Sequence, residues 1–87
     1  MLFTSEQVSN GHPDKICDQI SDAIVTDCLL NDRNSRVAVE CMIKDYDITI
    51  AGEITSSHTP DFKDLAYCVL AGIGLPNIEQ YTVNRLI

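Results

Sequence analysis

Between Pro13 and about Leu30 the apolar residues Ile16, Cys17, Ile20, Ala23, Ile24 and Cys28 recur at helical spacing, one turn apart. That period predicts an amphipathic helix. Pro13 suits its first position, where a missing N–H has no intrahelical partner to lose, and Asp14 favours the positive end of the helix dipole. The turn formers Asn31-Asp32-Arg33-Asn34-Ser35 close it. From there the pattern changes to strict alternation over Arg36–Lys44 and again over Asp47–Thr55, with Asp45-Tyr46 left between them as a two-residue turn. Setting Lys44 opposite Asp47 pairs Ile43 with Ile48, Cys41 with Ile50, Val39 with Gly52 and Val37 with Ile54. One face of this hairpin is then apolar throughout, and a slip of one residue would destroy it. Asp-Tyr is not a favoured turn pair, so the alternation carries the register and the turn type stays open.

Thr59-Pro60-Asp61 reads as a second helix start with Thr59 as its cap. Phe62, Leu65, Ala66, Val69 and Ile73 give the buried stripe, and Gly72 or Gly74 ends it. Pro76-Asn77 opens a connection to a last strand within Tyr81–Ile87. The order helix, strand, strand, helix, strand defines an α+β fold, a two-layer unit with helices packed on one sheet face. The 87 residues make a single domain, 1–87, and 45% hydrophobic content suffices for a modest core.

Charge narrows the partners. Thirteen acidic and six basic residues give a net charge of −7, which excludes a nucleic-acid backbone binder, since that needs a basic stripe. The four cysteines, Cys17, Cys28, Cys41 and Cys68, form no C-x-x-C pair and sit in apolar patterns. They read as thiols of a reducing compartment, neither disulfides nor zinc ligands. With no signal-peptide pattern and no membrane-spanning run, a soluble cytoplasmic chain without a membrane partner is expected.

Two places can carry chemistry. Asn10-Gly11-His12-Pro13-Asp14-Lys15 forms the mouth of the first helix, where free backbone N–H groups attract anions. His12 and Lys15 can donate to phosphate oxygens, and Asp14 can hold a Mg²⁺ shared with them. An ordinary capped helix start has the same composition, so the residues alone leave both readings open. The second place is the other face of the hairpin, where Glu40 stands opposite Ala51 and Glu53 opposite Ala38. The two acids are diagonal neighbours, roughly 7–8 Å apart at the backbone. Met42 and Thr49 complete a patch able to receive a monovalent cation and a substrate ammonium, or simply to face solvent. Asp14, Asp18 and Asp22 line one side of the first helix as a solvated row, and His58 reads as a loop residue. No Ser or Cys has a local base partner that would make it a nucleophile.

The run Phe3-Thr4-Ser5-Glu6-Gln7-Val8-Ser9-Asn10-Gly11-His12-Pro13-Asp14-Lys15-Ile16-Cys17-Asp18-Gln19-Ile20-Ser21-Asp22-Ala23 resembles the opening of S-adenosylmethionine synthetases, F-T-S-E-x-V-x-x-G-H-P-D-K-x-x-D-Q-I-S-D-A, at every fixed position. Arg36-Val37-Ala38-Val39-Glu40 and Ala51-Gly52-Glu53-Ile54-Thr55 are similar to two further family segments in the same order. The resemblance implies attack of methionine sulfur on the 5′ carbon of ATP, departure of tripolyphosphate as one unit, and its hydrolysis. It implies that His12 contacts the ATP phosphates and aids their departure, that Asp14 binds Mg²⁺ and Glu40 K⁺, and that Glu53 holds the methionine amine. Lys15 and Glu6 lie beside that site. It also implies a homo-oligomer, because the family's site lies between two subunits. Family members run several times this length in three similar domains, so the chain is expected to match their N-terminal portion and to be inactive alone. A stand-alone ligand-binding or interaction module, or one chain of a split enzyme, would carry the same motifs. The segment Gly74–Tyr81 is abbreviated against the family pattern, and Thr82–Ile87 resembles the family strand only loosely.

Overall fold

The structure, a computed structural model, describes residues 13–87. Helix α1 spans Pro13–Asn31, strands β1 and β2 span Arg36–Lys44 and Asp47–Thr55, helix α2 spans Phe62–Ile73, and β3 spans Thr82–Leu86. The predicted order and α+β class are those observed.

The hairpin register is the one that the alternation dictates, from Lys44 opposite Asp47 to Arg36 opposite Thr55. At the turn, Asp45 takes a left-handed φ of 56°. Aspartate tolerates this conformation because its short polar side chain can bond locally. Strand β3 lies parallel to β2, from Thr82 beside Asp47 to Leu86 beside Ala51, so β2 is the central strand. A parallel neighbour needs a crossover connection, and α2 supplies it. The Thr82 N–H donates to the Tyr46 carbonyl at 2.8 Å, which starts β3 level with the hairpin turn. Nearby, the Tyr67 hydroxyl donates to the Tyr81 carbonyl at 2.8 Å, tying α2 to the entry of β3.

The start of α2 corrects the expected cap. Asp61, not Thr59, is the capping residue: its carboxylate accepts from the Asp64 N–H at 3.0 Å. Thr59 precedes Pro60, whose ring biases the preceding residue away from helical geometry. Of the two candidate glycines, Gly74 ends the helix, with φ 92° and its N–H bonded to the Leu70 and Ala71 carbonyls. A short 3-10 turn, Ile78–Gln80, follows. It has no apolar period that could have announced it.

Ile16, Ile20, Ile24 and Cys28 from α1, Ile48 and Ile50 from β2, and Phe62, Ala66 and Leu70 from α2 form the buried core. Burial of each large aliphatic side chain stabilises the domain by about 1.5–3 kcal/mol. Leu70 joins the predicted α2 stripe one turn after Ala66, while Leu65, Val69 and Ile73 flank it half-buried. Val37, Val39, Cys41 and Ile43 of β1 pack against the same core, and their alternates Ala38, Glu40, Met42 and Lys44 are exposed. Among the described residues the helices therefore cover one sheet face and leave the other without a helix. Gly52 is required where it stands, because a Cβ there would run into the Ala38 carbonyl and Val39 Cα, and its φ is 140°. Among the described residues no helix is long and apolar enough to cross a membrane.

Candidate functional site

At the mouth of α1, Asp14 occupies the first turn, and both Asp14 and Lys15 are exposed. Exposure is what a ligand-facing carboxylate and ammonium require, and the first turn is where α1 has N–H groups without intrahelical acceptors. His12 and Glu6 lie outside the described residues.

The other sheet face presents the acid pair. Glu40 stands opposite Ala51 and Glu53 opposite Ala38, as the register demands, and both carboxylates are exposed. Strand β3 widens this patch in a way the loose reading of the last strand had not supplied. Asn84 stands beside Thr49 and Leu86 beside Ala51, so Glu40, Ala51 and Leu86 form one row across the sheet. Met42 and Leu86 are 65% and 66% exposed, and with the two alanines they give the acids an apolar surround.

These two groups are not brought together within one chain. α1 packs against the side of β1 that carries Val39 and Cys41, whereas Glu40 and Glu53 project from the opposite side. Asp14 and Lys15 thus belong to the helix layer and the acids to the other side of the sheet. Of the hollows in the surface, one of about 450 Å³ lies between the helices, bounded by Asp22, Ala23, Leu30 and Val69. Another lies at the start of α2, where the Arg85 guanidinium sits 5.1 Å from the centre of the Phe62 ring. Asp14, Glu40 and Glu53 line neither. Among the described residues no three His, Cys, Asp or Glu side chains cluster as a metal cage.

Two other constellations went unread in the sequence. The first clasps the α1–β1 connection to the β2–α2 connection. His58 Nε2 and Asp27 Oδ2 are 2.7 Å apart, and the Ser35 and Ser56 hydroxyls meet at 2.7 Å. The Asp32 carboxylate accepts from the N–H groups of Ser57 and Asn34, each at 3.0 Å. These two bonds, that from Ser57 first, hold the Asp32 carboxyl below the usual carboxylate range. His58 is thus a loop residue, as read, but a paired one. The second comprises two thiols: Cys17 lies on α1 and Cys41 on β1, and both are half-buried. Burial pushes the Cys41 thiol up to about 12, and burial also raises Cys17, with Asp14 and Asp18 adding to the effect.

Among the described residues two helices lie over one face of a three-stranded sheet and the acid pair lies on the other, an α+β domain. The chain belongs to the S-adenosylmethionine synthetase N-terminal domain family, whose model matches residues 1–85. It is 48% identical to the S-adenosylmethionine synthase of Mesoplasma florum over 83 residues, covering 95% of this chain and 22% of that protein. Against the S-adenosylmethionine synthase of Mycoplasmopsis synoviae it is 55% identical over 73 residues, 84% of this chain and 19% of that one. An unusual S-adenosylmethionine synthetase from Campylobacter jejuni has the same fold, with a TM-score of 0.84 at 35% identity, over 90% of this chain and 24% of the larger one. The chain therefore spans about a fifth of the length of the curated relatives it matches.

Proposed function

We propose that the chain supplies the N-terminal part of a cytoplasmic enzyme that forms S-adenosylmethionine from ATP and L-methionine, with release of phosphate and diphosphate. The observation that carries this is the agreement of residues 1–85 with the family's N-terminal domain, joined to the unbroken motif over Phe3–Ala23. In this reading His12 contacts the ATP phosphates and aids departure of the tripolyphosphate, with Lys15 and Glu6 beside it. Glu53 holds the methionine amine, its charge opposite to that of the ammonium.

The donor chemistry suits the two cations. Mg²⁺ at phosphates takes one or two carboxylates and fills its shell with water and phosphate oxygens, so a single exposed carboxylate, Asp14, is an adequate protein ligand. Glu40 offers K⁺ one oxygen-bearing group on an open face. When bound, the cations would neutralise charge on the polyphosphate leaving group. The residues' own work is to position the phosphates at the helix mouth and the amino acid at the sheet.

Asp14 and Lys15 belong to the helix layer on one side of the sheet, and the acid pair projects from the other. A homo-oligomer would unite them: the helix mouth of one copy would approach the acid-bearing face of another. The test is a chimera in which this chain replaces the matched segment of the Mesoplasma florum protein. The chimera should form S-adenosylmethionine in the presence of Mg²⁺ and K⁺, and His12→Ala or Glu53→Gln should each lower the rate by about 100-fold or more. The 87-residue chain alone should form none. A folded but inactive chimera, or full activity in both variants, would overturn the proposal.

A further inference from the structure

The trough between α1 and α2 belongs to neither group assigned above. Ala23 of α1 and Leu65 and Val69 of α2 form its apolar floor, all three half-buried. It runs from Gln19 to Leu30, which is about 16 Å along α1, or about three helical turns. Leu30 closes one end and is 81% exposed, the most of any large hydrophobic residue among those described. A leucine left in water at the end of an apolar trough adds nothing to this fold and gains from a partner that covers it.

Charge selects the partner. Of the described residues that line the trough, Asp22 and Asp27 are charged, and none is lysine or arginine. Asp27 is bonded to His58, so it is Asp22, exposed on the rim with Asp18 one turn before it, that meets an approaching ligand. The whole chain carries a net charge of −7. A second copy would therefore set like charge against like, and an anionic lipid surface would be repelled in the same way. A cationic surface is attracted.

We propose that this trough docks a basic amphipathic helix of a partner protein. Laid along the trough, such a helix presents apolar anchors at i, i+3 or i+4, and i+7 to Ala23, Leu65, Val69 and Leu30, with lysine or arginine on its flank beside Asp22. The contact is small, so binding is weak and reversible. The apolar floor sets the position of the helix, while the acidic rim speeds the encounter and selects the sign of the partner. Nothing in this depends on the acids of the sheet or on the catalytic reading, because helix residues alone line the trough.

The experiment uses a fluorescent peptide of lysine and leucine with its leucines on one helix face, and an isomer with the same residues spread round the helix. In anisotropy titrations of the 87-residue chain at roughly 0.1 M salt, the amphipathic peptide should bind about tenfold or more tightly than its isomer. Amide shifts in an NMR titration should centre on Ala23, Leu30, Leu65 and Val69. Leu30→Ser should weaken binding by about tenfold, as the loss of one leucine contact. Asp22→Lys should weaken it by about threefold or more, while Glu79→Lys, the same charge change on the exposed 3-10 turn, should leave it unchanged. Leu30 and Asp22 are both exposed, so the variants keep the fold; should Leu30→Ser fail to do so, the two lysine variants decide. Equal losses in Asp22→Lys and Glu79→Lys, or equal affinity for the two peptides, would reduce the effect to attraction by an acidic surface and sink the proposal. So would self-association of the chain through Leu30 and Val69 without peptide, or a folded chimera with the Mesoplasma florum protein that no longer binds the peptide, since the enzyme's own domains would then fill the trough.

Discussion

The two faces of the sheet are written by the same strands yet obey different rules. On the covered face Val37, Val39, Cys41, Ile48 and Ile50 meet helices, and what matters is volume and the exclusion of water. On the other face Glu40, Met42 and Glu53 are exposed and Thr49 is half-buried, with no helix of the described residues laid over them, so folding places fewer demands on their chemistry. The comparison teaches where constraint comes from. Residues of the covered face answer to stability, while acids set among alanines on the other face incur like-charge repulsion with no return in folding.

Substitutions can break or sharpen this contrast. Gly52→Ala should have the largest effect, because the added methyl meets the backbone of the neighbouring strand. Loss of the cooperative transition, or destabilisation by about 3 kcal/mol or more in urea titration, is expected. Ile20→Ala should follow, since a fully buried isoleucine reduced to alanine costs about 2–5 kcal/mol, whereas Met42→Ala on the other face should stay within about 0.5 kcal/mol. Equal losses for the two would mean that face is packed after all.

Asp32→Asn gives a pH signature. The Asp32 carboxyl is held below its ordinary value in the folded state by the Ser57 and Asn34 N–H groups. Its contribution is therefore present above the unfolded carboxylate value, near 3.9, and is lost as pH falls through the lower folded value. The substitution should remove that part of the acid dependence, seen as a shallower fall of the thermal midpoint below about pH 4. The smallest effect belongs to Glu40→Gln and Glu53→Gln in the isolated chain. Each should leave stability unchanged within about 0.5 kcal/mol, or raise it slightly by relieving repulsion. A marked loss would show that the acids serve the fold.

The fold was legible where a period was long. Nineteen residues of α1 and two nine-residue strands each repeat their pattern often enough to fix a face and a register. Short features were not. Thr59 and Asp61 are two cap-forming types on either side of Pro60, and only the proline's steric effect on Thr59 and the Asp61–Asp64 bond decide between them. The predicted stripe passed from Val69 to Ile73 and left out Leu70, which is fully buried, and the 3-10 turn at Ile78–Gln80 is too brief for any period. The site was half legible. Alternation puts Glu40 and Glu53 side by side without knowledge of the third dimension. The same alternation implies that a helix covering Val39 and Cys41 lies behind them. Asn84 and Leu86 joined the patch only through the parallel pairing of β3, which a crossover hides from local sequence.

The clasp between Asp27 and His58, Asp32 and Ser57, and Ser35 and Ser56 gathers its bonds at one end of the sheet, where β1 begins and β2 finishes. At the opposite end the hairpin turn carries an aspartate in a left-handed conformation. Amide exchange with deuterium should therefore be slowest between these two ends, around Ile48 and Ile50, where β2 is paired on both sides and fully buried, with the clasp slowing the fraying of Arg36 and Thr55.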